Sequence, residues 1–365
     1  MGLFSGDKNA NFLGVDIGGS SIKLVELTNN NGRAQLVTYG YLERALSGTK
    51  LIDEPDKTAE LIKRVVEQSK ATSRRAITAL PSSVVFTAII SLPEILKKDL
   101  SSTKKLTEAV EWEAKKVLPM PLEEMVLDWK LLTKPEDLVK KEEQTEKIHN
   151  VQVLLTAAAK EVVTKYIQVF KKAGLELISL ETESFALARS MVGKDKSLVV
   201  LVDIGAVNTD ISIIENTIPI VNRSVGIGGM QISQAIAQTL NIKVEQAEQF
   251  KRDLEGNVQD LGAGETLPEV IKRPIQTIVD EIQYSINFYL EQAENANKRV
   301  EKVILSGGTA NLFNLPKYFS DTLNLKTFIG NPWARVIYPE DLDPILQSIG
   351  PRLATALGLA MRDIE

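Results

Sequence analysis

Two stretches of the chain, VDIGGSSIKLVEL at residues 15–27 and VDIGAVNTDISII at residues 202–214, align without a gap at an offset of 187, close to half of the 365 residues. Each reads as an apolar strand ending in Asp, a turn of small residues, and a second strand with apolar and β-branched positions, the pattern of a β-hairpin. A repeat of this reach predicts two similar lobes whose hairpins face one cleft. The length agrees, since about 150 residues per domain gives two domains, each with a core of its own.

An acidic residue at a strand end, followed by a glycine-rich turn and present twice, suits a nucleotide clamp. The turn amides of Gly18, Gly19, Ser20 and Ser21 offer donors to a terminal phosphate, and glycine lets the backbone come close to it. Gly205, Ala206 and Asn208 offer the same from the opposite lobe, and Lys23 on the first hairpin joins this phosphate site. Asp16 and Asp203 then face each other and can hold a hydrated Mg²⁺, which favours one or two carboxylates plus phosphate oxygens. Either copy alone reads equally well as a hairpin turn capped by Asp. A third turn, LSGGTAN at residues 305–311, changes that balance. It follows a buried strand, so Gly307 and Gly308 can pass beneath a nucleotide while the helix start at Thr309 donates amides. Rival phosphate motifs fail. No GxxxxGK[ST] is present, and Gln231 stands where Gly226-Ile227-Gly228 would need its third fingerprint glycine.

Composition narrows the chemistry. Lys plus Arg number 43 against 48 Asp plus Glu, a net charge of -5, which leaves no footprint for nucleic acid. With no Cys and a single His, the chain has no disulfides, thiolate zinc sites or cysteine nucleophile. His149 reads as a solvated loop residue. No apolar run approaches the roughly 18 residues of a spanning helix, and the N-terminal stretch lacks a signal-peptide pattern, so a cytoplasmic protein is expected.

Between the repeats, strand and helix patterns alternate. Leu61, Ile62, Val65 and Val66 mark a helix within residues 51–70, followed by strands at 76–80 and 84–92, the second closed by Pro93. Leu106, Val110, Ala114 and Val117 form one helix face, stopped by Pro119 and Pro121. Strands follow at 126–132 and 151–156, with a solvated loop at 133–147 and a helix at 161–172 closed by Gly174. In the second half, helices are expected at 231–240, 244–254 and 270–296, the last burying Ile278, Ile282, Ile286 and Tyr289. A Gly-rich loop occupies 256–268, a strand 302–305 and a small-residue helix 353–361. Trp112, Trp129 and Trp333 are interface or core anchors, with core expected for at least two.

Taken in order, these motifs resemble the actin-like ATPase superfamily, which includes sugar kinases, MreB and FtsA. The match comprises phosphate-1 at 15–27, a connecting helix at 183–191, phosphate-2 at 202–214, the adenosine motif at 303–312 and a second connecting helix at 354–361. The resemblance implies an α/β fold, a two-lobed actin-like ATPase with a ribonuclease H-like duplicated βββαβαβ core, binding ATP and Mg²⁺. Glu248 and Lys251 match the helix that contacts the nucleoside, and Glu183 the residue that orients or deprotonates the attacking water. Here Ser184 follows Glu183 where Pro is usual, with Glu181 as a substitute, which fits at most a slow ATPase.

More closely still, the chain resembles the PilM family of type IV pilus assembly. The points of resemblance are Val110-Glu111-Trp112-Glu113-Ala114 with Val117-Leu118-Pro119-Met120, Leu127-Asp128-Trp129, Ala173-Gly174-Leu175, Arg223 with Ile227-Gly228-Gly229, and Leu357-Gly358-Leu359-Ala360. The resemblance implies an FtsA-type inserted subdomain (1C) at 84–176. Lobe 1 (1A) would then comprise 1–83, 177–198 and 345–365, the second lobe core (2A) 199–222 and 302–344, and subdomain 2B 223–301. It also implies a partner, the N-terminal cytoplasmic peptide of a PilN-like inner-membrane protein, along with other pilus assembly components and self-association. Nucleic acid and direct membrane insertion are not expected, so attachment to the inner membrane would run through the partner. An FtsA-like division adaptor and a small-molecule kinase of the same fold are the alternatives. The first usually carries a C-terminal amphipathic helix, whereas this sequence ends at Asp363-Ile364-Glu365. The second needs a catalytic Asp constellation in the first lobe that is not found.

Overall fold

The computed structural model describes residues 11–44, 50–92, 95–96, 102–132, 147–148, 151–254, 267–292 and 295–364. Pro93, His149, nearly all of the 133–147 loop and nearly all of the Gly-rich 256–268 segment lie outside the described residues. Strands β1 (Asn11–Ile17), β2 (Ser21–Asn30) and β3 (Arg33–Glu43) form an antiparallel meander. Helix α1 (Pro55–Ser69) then returns the chain to β4 (Arg75–Leu80), parallel to β1. Leu13, Val15 and Ile17 of β1 and Ile22, Leu24, Val25 and Leu27 of β2 are buried, the near-continuous apolar run of central strands covered on both faces.

Residues 83–167 form a compact unit of their own. It holds β5 (Val85–Leu92), β6 (Ile95–Leu96), α2 (Thr103–Ala114), β7 (Met125–Leu131), β8 (Lys147–Ile148) and β9 (Val151–Ala159). The sheet order is β5-β9-β7, β6 pairs with β8, and Leu106, Val110 and Ala114 of α2 share a core with Val151, Val153 and Leu155. Val117 leaves that face and is 43% exposed. The helix closes at Ala114, where the Val117 amide tightens onto the Ala114 carbonyl, because Pro119 two residues on forbids another helical turn. Trp112 is 67% exposed, Trp129 packs half-buried on the same core, and Trp333 of the larger unit is fully buried.

Helix α3 (Lys160–Ala173) leads back to β10 (Glu176–Thr182), parallel to β4, and Gly174 closes it in the left-handed conformation, φ +73°. Next come α4 (Glu183–Leu187), a π-helical turn at Ala188–Val192, and the second meander β11 (Val199–Ile204), β12 (Thr209–Glu215) and β13 (Ile218–Val225). Helices α5 (Gly229–Leu240), α6 (Val244–Asp253) and α7 (Glu269–Leu290) precede β14 (Lys302–Ser306). The chain closes with α8 (Leu315–Leu323), β15 (Lys326–Ile329), β16 (Val336–Ile337) and α9 (Asp343–Ala360).

The two large sheets run β10-β4-β1-β2-β3-β16 and β13-β12-β11-β14-β15. Read from the meander inward, the second repeats the first strand for strand, with β16 added at one edge. The duplicated hairpin is thus the seed of a duplicated sheet. Helix α7 buries Ile271, Ile275, Ile278, Ile282, Ile286 and Tyr289 along one stripe, about 1.5–3 kcal/mol for each aliphatic side chain taken from water. It ends at Leu290, six residues short of the helix expected from its apolar periodicity. The connecting helices α4 and α9 touch backbone to backbone, since a Cβ on Gly358 would stand 1.9 Å from the Ala186 carbonyl oxygen.

Candidate functional site

The register of each hairpin decides what its acidic residue meets. In the first, Asp16 lies directly opposite Lys23, whose Nζ donates to Asp16 Oδ2 at 2.9 Å. Burial alone would depress the Lys23 ammonium, but Asp16, then Asp203 and Glu183, outweigh it and raise its pKa. In the second, the same register sets Asp203 opposite Asp210. Burial lifts the Asp203 carboxyl to about 6, against the pull of Lys23 and Ser306. Burial and then the charge of Asp203 lift Asp210 to about 7, against hydrogen bonds with Ser224 and Ser82. Asp210 Oδ1 is buried without a hydrogen-bond partner. Sequence reading passed over Asp210. The signal was available, because the offset of 187 superimposes it on Lys23 and so reverses a charge inside the repeat.

Glu183 opens α4 and its Oε2 accepts the Ser82 amide at 3.4 Å. Burial, then Asp210, Asp16 and Asp203, push its carboxyl well above the usual range. Glu181 commits its oxygens to Arg189, at 3.1 and 3.2 Å, and to Arg362 at 2.7 Å.

The glycines bring the turns together. The Gly18 amide closes its own turn on the Ser21 carbonyl, and the Gly205 amide closes the equivalent turn on Asn208. Gly307 sits at φ +88°, where a Cβ would stand 2.4 Å from the Ile204 carbonyl oxygen, so only glycine lets the third turn pass the end of β11. A Cβ on Gly228 would come within 2.7 Å of the Gly205 carbonyl oxygen. The Gly229 and Met230 amides bond the Gly205 and Ala206 carbonyls, docking the start of α5 on the second hairpin.

Glu248 and Lys251 are not a surface ion pair. Lys251 is 4% exposed, and its Nζ donates to the Gly229 carbonyl at 2.9 Å, Ser233 Oγ at 3.0 Å and Glu248 Oε2 at 2.7 Å. Burial would raise the Glu248 carboxyl, and its bonds to Lys251, Ser233 and Arg252 outweigh that and lower it. Ser20, Ser21, Lys23, Asp203, Gly205, Ala206, Gly229, Glu248, Lys251, Gly307, Gly308 and Thr309 line one cavity of about 500 Å³. Of the other expected residues, Asp16 is 5% exposed and bonded to the lining residue Lys23, Glu183 feels the charges of Asp210, Asp16 and Asp203, and Gly18, Gly19, Asn208 and Gly228 build the turns.

The donor set fits a hydrated divalent cation. Asp16, Asp203 and Glu183 have Lys23 as their shared cation, and the neighbouring Asp210 has one buried oxygen without a hydrogen-bond partner. Among the described residues no group of three His, Asp or Glu side chains forms a full protein cage. Mg²⁺ does not require such a cage, since it keeps waters and takes phosphate oxygens as well.

A family model described as Type IV pilus assembly protein PilM matches residues 14–364. The chain belongs to the PilM family. A solved structure of the PilM-PilN type IV pilus biogenesis complex is 27% identical, with a TM-score of 0.81, covering 98% of this chain and 99% of that one. Cell division protein FtsA of Pseudomonas aeruginosa is 28% identical over 212 residues, 53% of this chain but only 49% of the relative's length. MreB5 of Spiroplasma citri, solved bound to ADP, gives a TM-score of 0.52 at 15% identity over 96% of this chain and 95% of that one, a likeness of fold alone. The PilM-family chain therefore has the two-lobed actin-like fold expected from its duplicated hairpin. Among its described residues no helix is long and apolar enough to cross a membrane.

Proposed function

We propose that this PilM-family protein is an ATP-binding scaffold of type IV pilus assembly. It would bind the N-terminal cytoplasmic tail of a PilN-like inner-membrane protein and be held peripherally at that membrane through it. The observation that carries the nucleotide reading is the convergence of three glycine turns with Glu248 and Lys251 on one cavity of about 500 Å³, within the size range of small-molecule sites. Gly205, Ala206, Gly307, Gly308 and Thr309 would flank the phosphates, and Glu248 and Lys251 the nucleoside. Asp16 and Asp203 would hold a hydrated Mg²⁺, which supplies positive charge between carboxylates and phosphate oxygens when bound.

Glu183 would orient a water for hydrolysis, and burial with the charges of Asp210, Asp16 and Asp203 raises its carboxyl pKa. In this reading the nucleotide acts as a switch that draws the lobes together more than as fuel. The four-part subdomain division expected from the sequence belongs to this reading. The test is capture of the protein on an immobilised tail peptide of a PilN-like protein, with and without Mg-ATP. Capture that changes at least about threefold with Mg-ATP supports it. Capture indifferent to nucleotide overturns the switch, and absent capture overturns the partner.

A further inference from the structure

A chain of ion pairs runs along the wall of the cavity from one lobe to the other. Glu43, the last residue of β3, accepts from Arg252 Nη2 at 2.9 Å and from Arg352 Nη1 at 3.2 Å. Arg252 lies on α6 of the second lobe, and its Nε donates to Glu248 Oε1 at 3.1 Å. Glu248 in turn holds Lys251. Arg352 lies on α9 against the third glycine turn, where a Cβ on Gly308 would stand 3.6 Å from its Cγ and Nε. Glu43, Arg252 and Arg352 all line the cavity, so the chain runs along its wall.

We propose that Glu43 is the latch of the cleft, a carboxylate whose pairing with Arg252 and Arg352 governs how fast a bound nucleotide leaves. The proposal rests on the nucleotide reading of the cavity and adds its regulation. Each pair is partly exposed, with side-chain exposures of 34% for Glu43, 42% for Arg252 and 24% for Arg352, and taken singly such pairs hold weakly. Sharing gives them a function. Arg252 divides its guanidinium between Glu43 in one lobe and Glu248 in the other. A nucleoside that engages Glu248 frees Arg252 to bond Glu43 fully, so occupancy strengthens the contact that bars the exit. The fold alone creates this arrangement, because Glu43 lies 209 residues from Arg252 and 309 from Arg352 in sequence.

The first readout is the dissociation rate of a fluorescent ATP analogue from the full chain, for wild type and Glu43→Gln, at low and high salt. Release should be about 3–10-fold faster in Glu43→Gln. Rising salt should speed release from wild type and leave Glu43→Gln nearly unchanged, because screening weakens the same pairs. Equal rates and equal salt dependence in the two proteins overturn the latch. The second readout needs no nucleotide. The chain has no Cys, so cysteines introduced at the exposed positions Gln68 and Gln238 can be spin-labelled uniquely. Glu43→Gln should lengthen or broaden the inter-label distance distribution, and an unchanged distribution contradicts the latch. A wild type that binds no analogue refutes the nucleotide reading, and the distance measurement then decides the Glu43 bridge by itself.

Discussion

The two hairpins share register and turn position, yet one is neutralised from within and the other is not. Across the first ladder Asp16 meets Lys23 at 2.9 Å, while across the second Asp203 meets Asp210. Like charges directly opposite each other in a ladder are destabilising. Burial lifts the Asp203 carboxyl to about 6, and burial together with the charge of Asp203 lifts Asp210 to about 7. The first hairpin is thus complete as a structural element, and the second asks for positive charge from elsewhere. Part of that charge comes from Lys23 of the first hairpin, and the rest is what a cation bound with a phosphate would bring.

Removing the cation of the first hairpin should break the comparison most severely. Lys23→Ala leaves Asp16 facing Asp203 and Glu183 without compensation. The variant should lose about 2–4 kcal/mol in urea denaturation at pH 7.5, somewhat less than for a fully buried pair because Lys23 is 22% exposed. A loss under about 0.5 kcal/mol would show that the cluster does not depend on Lys23.

Relieving the second hairpin should act in the opposite direction. A carboxyl raised in the folded state from its usual 3.8 to about 7 contributes stability that is fully present below pH 3.8 and is lost as pH rises through about 7. Without nucleotide, wild type should therefore lose stability across that window. Asp210→Asn should flatten the slope and gain about 1–2 kcal/mol at pH 7.5, read from thermal melts across the pH range. A slope unchanged by the substitution would mean that Asp210 is not the group being titrated.

The smallest change makes the first turn read like the second, where Ala206 stands in place of Gly19. A Cβ on Gly19 would meet Val207 Cγ2 at 2.9 Å, a contact that a small side-chain shift relieves. Gly19→Ala should cost about 1 kcal/mol or less, a shift of a few degrees in Tm.

Much of this was legible in the sequence because the deciding signals are local. Apolar periodicity identified the buried stripe of α7, and the gapless offset of 187 anticipated a doubled sheet. Other features depend on contacts between distant residues. Val117 fits the helical spacing of α2, but Pro119 cuts the helix short before it can be buried. The burial of Lys251 comes from α5 docking on the second hairpin, which no pattern near residue 251 reports. Asp210 was visible only as a charge reversal between aligned copies, and its meaning needed the register that sets it against Asp203. Glu43 gave no signal at all, since its partners lie on helices from elsewhere in the chain.

The central claim is that two unequal hairpins together hold a magnesium nucleotide. Calorimetric titration of Mg-ATP into wild type, Asp16→Ala and Asp203→Ala tests it most directly. The account predicts saturable binding by wild type and a loss of at least about tenfold in affinity for each variant, equivalent to about 1.4 kcal/mol. Wild-type affinity retained in both variants would contradict it.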